Sequence, residues 1–208
     1  MIPSWKWTIP GRQRGRTVED MTTNTTNTQQ TTATADSHAG AAPAGTGYAP
    51  EHPARLNPAA LAPEVYKAMV RLDAAANQGL DPVLVELVKI RCSQLNHCAF
   101  CLDMHSKDAL AAGESVERIV QLSAWRESRH FYTEKEAAAL ELAEAVTLLT
   151  EGFVPDEVYE LAAKHFEEAE LAHLISSVIV INAWNRFAVT CRSVPGHYTP
   201  GQFKGHNA

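Results

Sequence analysis

The chain has 208 residues, with 18 Lys and Arg against 24 Asp and Glu and a formal charge of −6. That balance offers no basic face for general nucleic-acid binding, and no apolar run of about eighteen residues is read in the sequence, so no transmembrane helix is expected. Four cysteines in a chain this long do not make a disulfide miniprotein, and two of them stand in the CxxC spacing of redox or metal chemistry.

In chain order, residues 1–57 read as a disordered low-complexity tail. Residues 21–50 hold nine threonines, no Leu, Ile, Val, Phe or Trp, and one charge, Asp36. Such a stretch buries too little apolar surface to offset its ordering entropy. Trp5, Trp7, Arg12, Arg14 and Arg16 precede it without the apolar segment of a secretory signal, so none is expected; Met21 is an alternative start. Charge divides at the same place. Residues 1–57 hold five basic and four acidic groups (+1), and the rest holds thirteen and twenty (−7).

From Asn57 the signals are helical, and the fold class expected is all-α. Asn57-Pro58 and Asp81-Pro82 pair an N-cap residue with proline at the first helical position. Thr133 and Glu136 make a capping box, and Gly113 and Gly152 stand where C-terminal caps belong. Leu84, Leu87, Val88, Arg91 and Leu95 keep helical spacing, as do Ala137, Leu140, Ala143, Ala145 and Leu148. Residues 168–192 are apolar around much of the girth, as in a central helix or a subunit interface. The patterning predicts helices over 58–77, 81–96, 98–112, 115–124, 133–150, 155–165 and 168–192. These make one domain over 58–193, followed by a C-terminal tail, 194–208.

Residues 86–105 read ELVKIRCSQLNHCAFCLDMH. If Cys98 opens a helix, Cys98, Cys101 and His105 share one face on successive turns. The positive end of the helix favours a thiolate there over a thiol of ordinary pKa, about 8.5. His105 can take or return a proton, and a turn at Asn96–His97 folds Glu86 back toward it as an orienting carboxylate. A thiolate with a second thiol beside it suits attack on a peroxide, through a sulfenic acid, or on a disulfide, by exchange. Both cycles need an external dithiol to reset the pair, and the spacing does not choose between them. Two plainer readings stand beside these: a zinc shell of two thiolates, an imidazole and a carboxylate, or inert core thiols.

The spacing Glu86, Cys98-x-x-Cys101, His105, with flanks SQLNHCAFCLDMHSKDALAAGES and INAWNRFA, resembles the core signature of AhpD-type alkylhydroperoxidases in the carboxymuconolactone decarboxylase superfamily. It covers residues 58–193. The resemblance implies an all-helical homo-oligomer, a trimer or hexamer, that reduces organic hydroperoxides by cycling the pair between dithiol and disulfide. It implies Cys101 as the peroxidatic cysteine, Cys98 as the resolving one, and His105 and Glu86 as their proton relay. It implies no bound cofactor and an external thiol reductant, with lipoamide a candidate. The family pattern has a second histidine directly before the second cysteine, and this chain has Phe100 there. The family's decarboxylase branch generally lacks the CxxC pair, which argues against ring-lactone decarboxylation. The alternatives are a redox adaptor that reduces a partner peroxidase, and a non-redox oligomer that binds a metabolite. No nucleic acid or membrane partner is expected, and a dithiol in need of a reducing supply fits the cytoplasm.

The remaining polar residues read more plainly. Cys92 and Cys191 are expected as small core residues, and His165 and His173 as structural histidines. Asn182, Trp184, Asn185 and Arg186 are expected to bridge helices or subunits, with a site-lining role as the alternative. Glu134, Glu136, Glu141 and Glu144 are expected as a solvated helix face.

Overall fold

The computed structural model describes residues 49–202; the expected tail up to residue 48, the alternative start at Met21 and residues 203–208 lie outside the described residues. The described residues form helices α1 (Pro58–Leu61), α2 (Pro63–Ala76), α3 (Pro82–Leu95), α4 (Ala99–Ala111), α5 (Val116–Gln121), α6 (Glu134–Thr147), α7 (Asp156–His165) and α8 (Glu168–Cys191), with no strand among them. Three short 3-10 turns, Leu122–Ala124, Arg129–Phe131 and Leu149–Glu151, complete the order.

Capping starts the helices where expected. Asn57 Oδ1 accepts the Ala60 N–H at 3.2 Å, and Asp81 Oδ1 accepts those of Val83 and Leu84 at 2.9 and 3.0 Å. Thr133 and Glu136 close their box in both directions. Such caps contribute about 1 kcal/mol each. α4 ends in a Schellman motif, with Gly113 at φ +96° and the Glu114 N–H on the Ala109 carbonyl at 3.0 Å.

Two expected helices are shorter than the patterning predicts. The run over 58–77 is broken at Ala62 (φ −135°, ψ 61°) because Pro63 crowds the residue before it and has no N–H to donate. The run over 133–150 stops at Thr147, where Leu148 leaves helical geometry and a 3-10 turn follows. Gly152 therefore ends that turn and does not cap α6.

α3 is the hub, packed against α4, α6 and α8. One side of α3 sends Leu84, Val88 and Cys92 into a core shared with Leu142 and Ala143 of α6 and with Leu174, Val178 and Ile181 of α8. The other side sends Leu87 and Ile90 against Ala109, Leu122, Trp125 and Leu140. Burying each such Leu or Ile contributes about 1.5–3 kcal/mol, which explains why a helix clad on both sides shows so narrow a polar face. α8 is 24 residues long and holds an 18-residue window of mean hydropathy 1.3, enough by length and composition to cross a membrane although it carries charge. Half of that span is buried within the fold, as in a core helix.

Glu144 departs from the expected solvated face. It is 9% exposed and accepts from Arg91 Nε and Trp125 Nε1, both at 2.7 Å, and from Arg126. Burial alone would raise its pKa; the hydrogen bonds from Trp125, Arg126 and Arg91 outweigh it and hold the carboxyl below its ordinary range.

Candidate active site

The turn between α3 and α4 places the two thiols. α3 ends in a Schellman motif whose left-handed residue is His97 (φ 53°), with the Cys98 N–H on the Ser93 carbonyl at 2.9 Å. Glycine is the usual occupant of that position; a β-carbon there costs about 1–2 kcal/mol. The turn reverses the chain so that α4 packs back along α3. Cys98 becomes the N-cap of α4, and Cys101 falls in its first turn. Both are buried, at 1% and 2% exposure.

Cys98 closes no full cap hydrogen bond, yet its surroundings favour a thiolate. Its pKa is pushed down to about 7, chiefly by the Cys101 S–H that points at it, against the opposing effect of burial. The first-turn N–H groups of Cys101 and Phe100 and the Asn185 amide add to this. Cys101 is driven upward, because it holds the shared proton and is itself buried. Of the two sulfurs, Cys98 is the one whose surroundings favour the thiolate.

His105 follows Cys101 by one turn of α4 and is 5% exposed. Its Nδ1 lies 2.8 Å from Glu86 Oε2 on α3. With Nδ1–H donated to the carboxylate, Nε2 carries the lone pair, and Nε2 is buried with no hydrogen-bond partner among the described residues. The Glu86–His105 pair and the two thiols, read from sequence as one constellation, thus lie along the facing α3 and α4. Phe100 packs against the same core as both cysteines, so the position of the family's second histidine is apolar here.

Other groups complete the site. Lys89 of α3 is 4% exposed and pairs with Asp73 of α2 at 2.8 Å, and its charge favours a Cys101 thiolate. Tyr66 of α2, whose pKa is raised first by burial and then by Cys101, meets Trp184 edge-on at 5.1 Å. Asp108, also on α4, accepts from the Tyr198 hydroxyl at 2.8 Å and the Gly201 N–H at 3.2 Å. Lys107 donates to the Tyr198 carbonyl at 3.0 Å, and Asp103 accepts the Gly196 N–H at 2.9 Å. The segment after α8, expected only as a tail, is thereby fastened along the thiol-bearing helix. The Tyr198 pKa is pushed up to about 12, first by burial and then by Asp108, with Glu86 contributing. Sequence reasoning missed Lys89, Tyr66, Asp108 and Tyr198. The one available signal was a lysine flanked by Val88 and Ile90 in an apolar stripe.

Cys92 is fully buried and accepts from Thr147 Oγ1 at 3.3 Å; burial pushes its pKa up to about 12, so it is a core thiol. Cys191 is also buried, at the end of α8. Among the described residues no three His, Cys, Asp or Glu side chains are grouped to hold a metal ion.

Comparison with known proteins identifies the family. The model of the carboxymuconolactone decarboxylase family matches residues 63–145. The chain is 42% identical over 130 residues to the uncharacterized protein YdfG of Bacillus subtilis, 62% of this chain and 88% of that one. It is 35% identical over 79 residues to an alkyl hydroperoxide reductase AhpD of Rhodopseudomonas palustris, 36% of this chain and 44% of that protein. A crystal structure of a protein of unknown function from Agrobacterium tumefaciens, which carries the name AhpD, superposes with TM-score 0.67 at 38% identity over 70% of this chain and all of that one. The chain belongs to the AhpD-type branch of the carboxymuconolactone decarboxylase superfamily.

Proposed function

We propose that this chain is a thiol-dependent peroxidase that reduces organic hydroperoxides through the Cys98–Cys101 pair. The observation that carries the reading is the buried dithiol on the same helix as a histidine whose Nδ1 is held by Glu86 at 2.8 Å. Cys101 loses its proton to Nε2 of His105 and attacks the outer peroxide oxygen. The O–O bond breaks, the alcohol leaves with that proton, and Cys101 becomes a sulfenic acid. The Cys98 thiolate then attacks the Cys101 sulfur, forming the disulfide and releasing hydroxide, which a proton converts to water. One hydroperoxide and two thiols thus give an alcohol, water and a disulfide. An external dithiol, for which lipoamide is the candidate, restores the pair by exchange. Such a cycle belongs in a reducing compartment.

A second reading rests on one feature: Cys98 stands at the N-cap of α4, where its surroundings favour the thiolate, while those of Cys101 disfavour it. A helix-start thiolate of that kind suits direct attack on a disulfide, as in an adaptor for a partner peroxidase. Stopped-flow mixing of reduced protein with cumene hydroperoxide separates the two. Cys101→Ser abolishes peroxide consumption in the peroxidase reading. Cys98→Ser retains one oxidation, to a sulfenic acid trapped by dimedone, but does not cycle. Full turnover by Cys101→Ser overturns the assignment, and inert wild-type thiols overturn the peroxidase.

A further inference from the structure

A chain of amides, Asn182 and Asn185 buried and Asn96 half-buried, joins α8 to the end of α3, and the direction of every hydrogen bond in it is determined. At one end the Arg186 guanidinium, which can only donate, gives a hydrogen bond to Asn182 Oδ1 at 3.1 Å. Asn182 therefore presents oxygen to Asn96, whose Nδ2 donates to Asn182 Oδ1 and to Asn185 Oδ1, both at 2.9 Å. Asn185 must then turn its Nδ2 the other way. The far end requires the same orientation independently. The Ser93 hydroxyl donates to the Lys89 carbonyl, which can only accept, at 2.7 Å. Its lone pair is left for Asn185 Nδ2, at 3.0 Å.

Asn185 is 1% exposed, and its amide favours the thiolate form of both Cys98 and Cys101. One N–H of Nδ2 is taken by Ser93. The second has no oxygen acceptor in this network, and Ser93, which fixes the amide, also holds the Cys98 N–H on its carbonyl at 2.9 Å, on the thiol side of the network. A donor fixed in a closed space is worth more to an anion than to a neutral group. We propose that Asn185 is a further catalytic residue of the dithiol site, its oriented Nδ2 donating to whichever sulfur carries the negative charge. The inference rests on the thiol reading above. It adds that the charge is stabilised by α8 and not only by the start of α4. The disulfide carries no charge to stabilise, so Asn185 also favours the reduced pair and makes the disulfide the stronger oxidant.

The test uses the reduced full chain, free of peroxide. Iodoacetamide labelling of the peptide containing Cys98 and Cys101 is followed by mass from pH 5 to 9. The same proteins are equilibrated with mixtures of reduced and oxidised glutathione. Asn185→Asp keeps the shape and removes the donor. It is expected to raise the labelling midpoint by about one pH unit, a roughly tenfold slower reaction below the midpoint, and to make the disulfide harder to reduce. Ser93→Ala releases the lock at a helix-interior site that accepts alanine, and is expected to slow labelling about threefold. A cooperative thermal melt checks each fold, and if Asn185→Asp does not fold, Ser93→Ala decides alone. An unchanged midpoint and glutathione equilibrium in a folded variant overturn the proposal. Because no peroxide is present, failure of the peroxidase reading leaves these shifts intact. Unshifted profiles beside rapid hydroperoxide reduction would remove Asn185 alone.

Discussion

Cys98 and Cys101 share one proton in a space closed to solvent, and which sulfur holds it decides how the site reacts. The Cys98 pKa lies below the usual thiol value, at about 7. Its thiolate is therefore present above pH 7 and is lost as pH falls through that value. Labelling of Cys98 by iodoacetamide is expected to slow about tenfold per unit below pH 7 and to level off above it. A profile that keeps rising to pH 9 would mean an ordinary thiol. The candidate residues were legible one by one, because CxxC, His105 and Glu86 sit at helical spacings. The ownership of the charge was not. It depends on the Cys101 S–H and on an amide 84 positions further along the sequence than Cys101.

Helix boundaries follow from local chemistry, and helix contacts do not. The caps at Asn57, Asp81 and Thr133 lie where the residue types demand. The break at Ala62 was equally local, since Pro63 announces it. α6 shows the opposite case. Its glutamates look alike on a helical projection, yet Glu144 faces the indole and two guanidinium groups while Glu134 faces water. Removing one partner of a buried charge cluster costs about 3–5 kcal/mol. Because Arg126 is half exposed, Glu144→Gln is expected to cost about 2–3 kcal/mol, read from the urea midpoint. The sign with pH follows from a carboxyl held below its ordinary value of 4.5. Its stabilisation is complete above pH 4.5 and is lost as pH falls through the lower folded value. The wild-type advantage over Glu144→Gln should therefore shrink in acid; a difference that stays constant to pH 3 would contradict it.

At the scale of the molecule, several large apolar side chains are exposed. Leu61, Val65, Ile179 and Val189 are each about half exposed or more, at 69%, 53%, 54% and 49%. Two of them lie on α8, the helix whose apolar girth suggested an interface. Light scattering on the full chain is expected to give a multiple of three 22.7 kDa chains; a monomer at micromolar concentration would refute that assembly. Hydropathy period, caps and prolines were enough to specify an all-α fold, the order of its helices and the residue types of the thiol site. These depend on neighbours within a few positions, where backbone geometry is nearly invariant. Tertiary structure alone decided that Asp108 meets Tyr198, that Lys89 meets Asp73, that Glu144 is buried and that Asn185 donates to Ser93. Each of these pairs a polar group with one distant in sequence. A buried polar group must find a partner, but which one it finds is set by how α3, α4, α6 and α8 pack, and no local spacing encodes that.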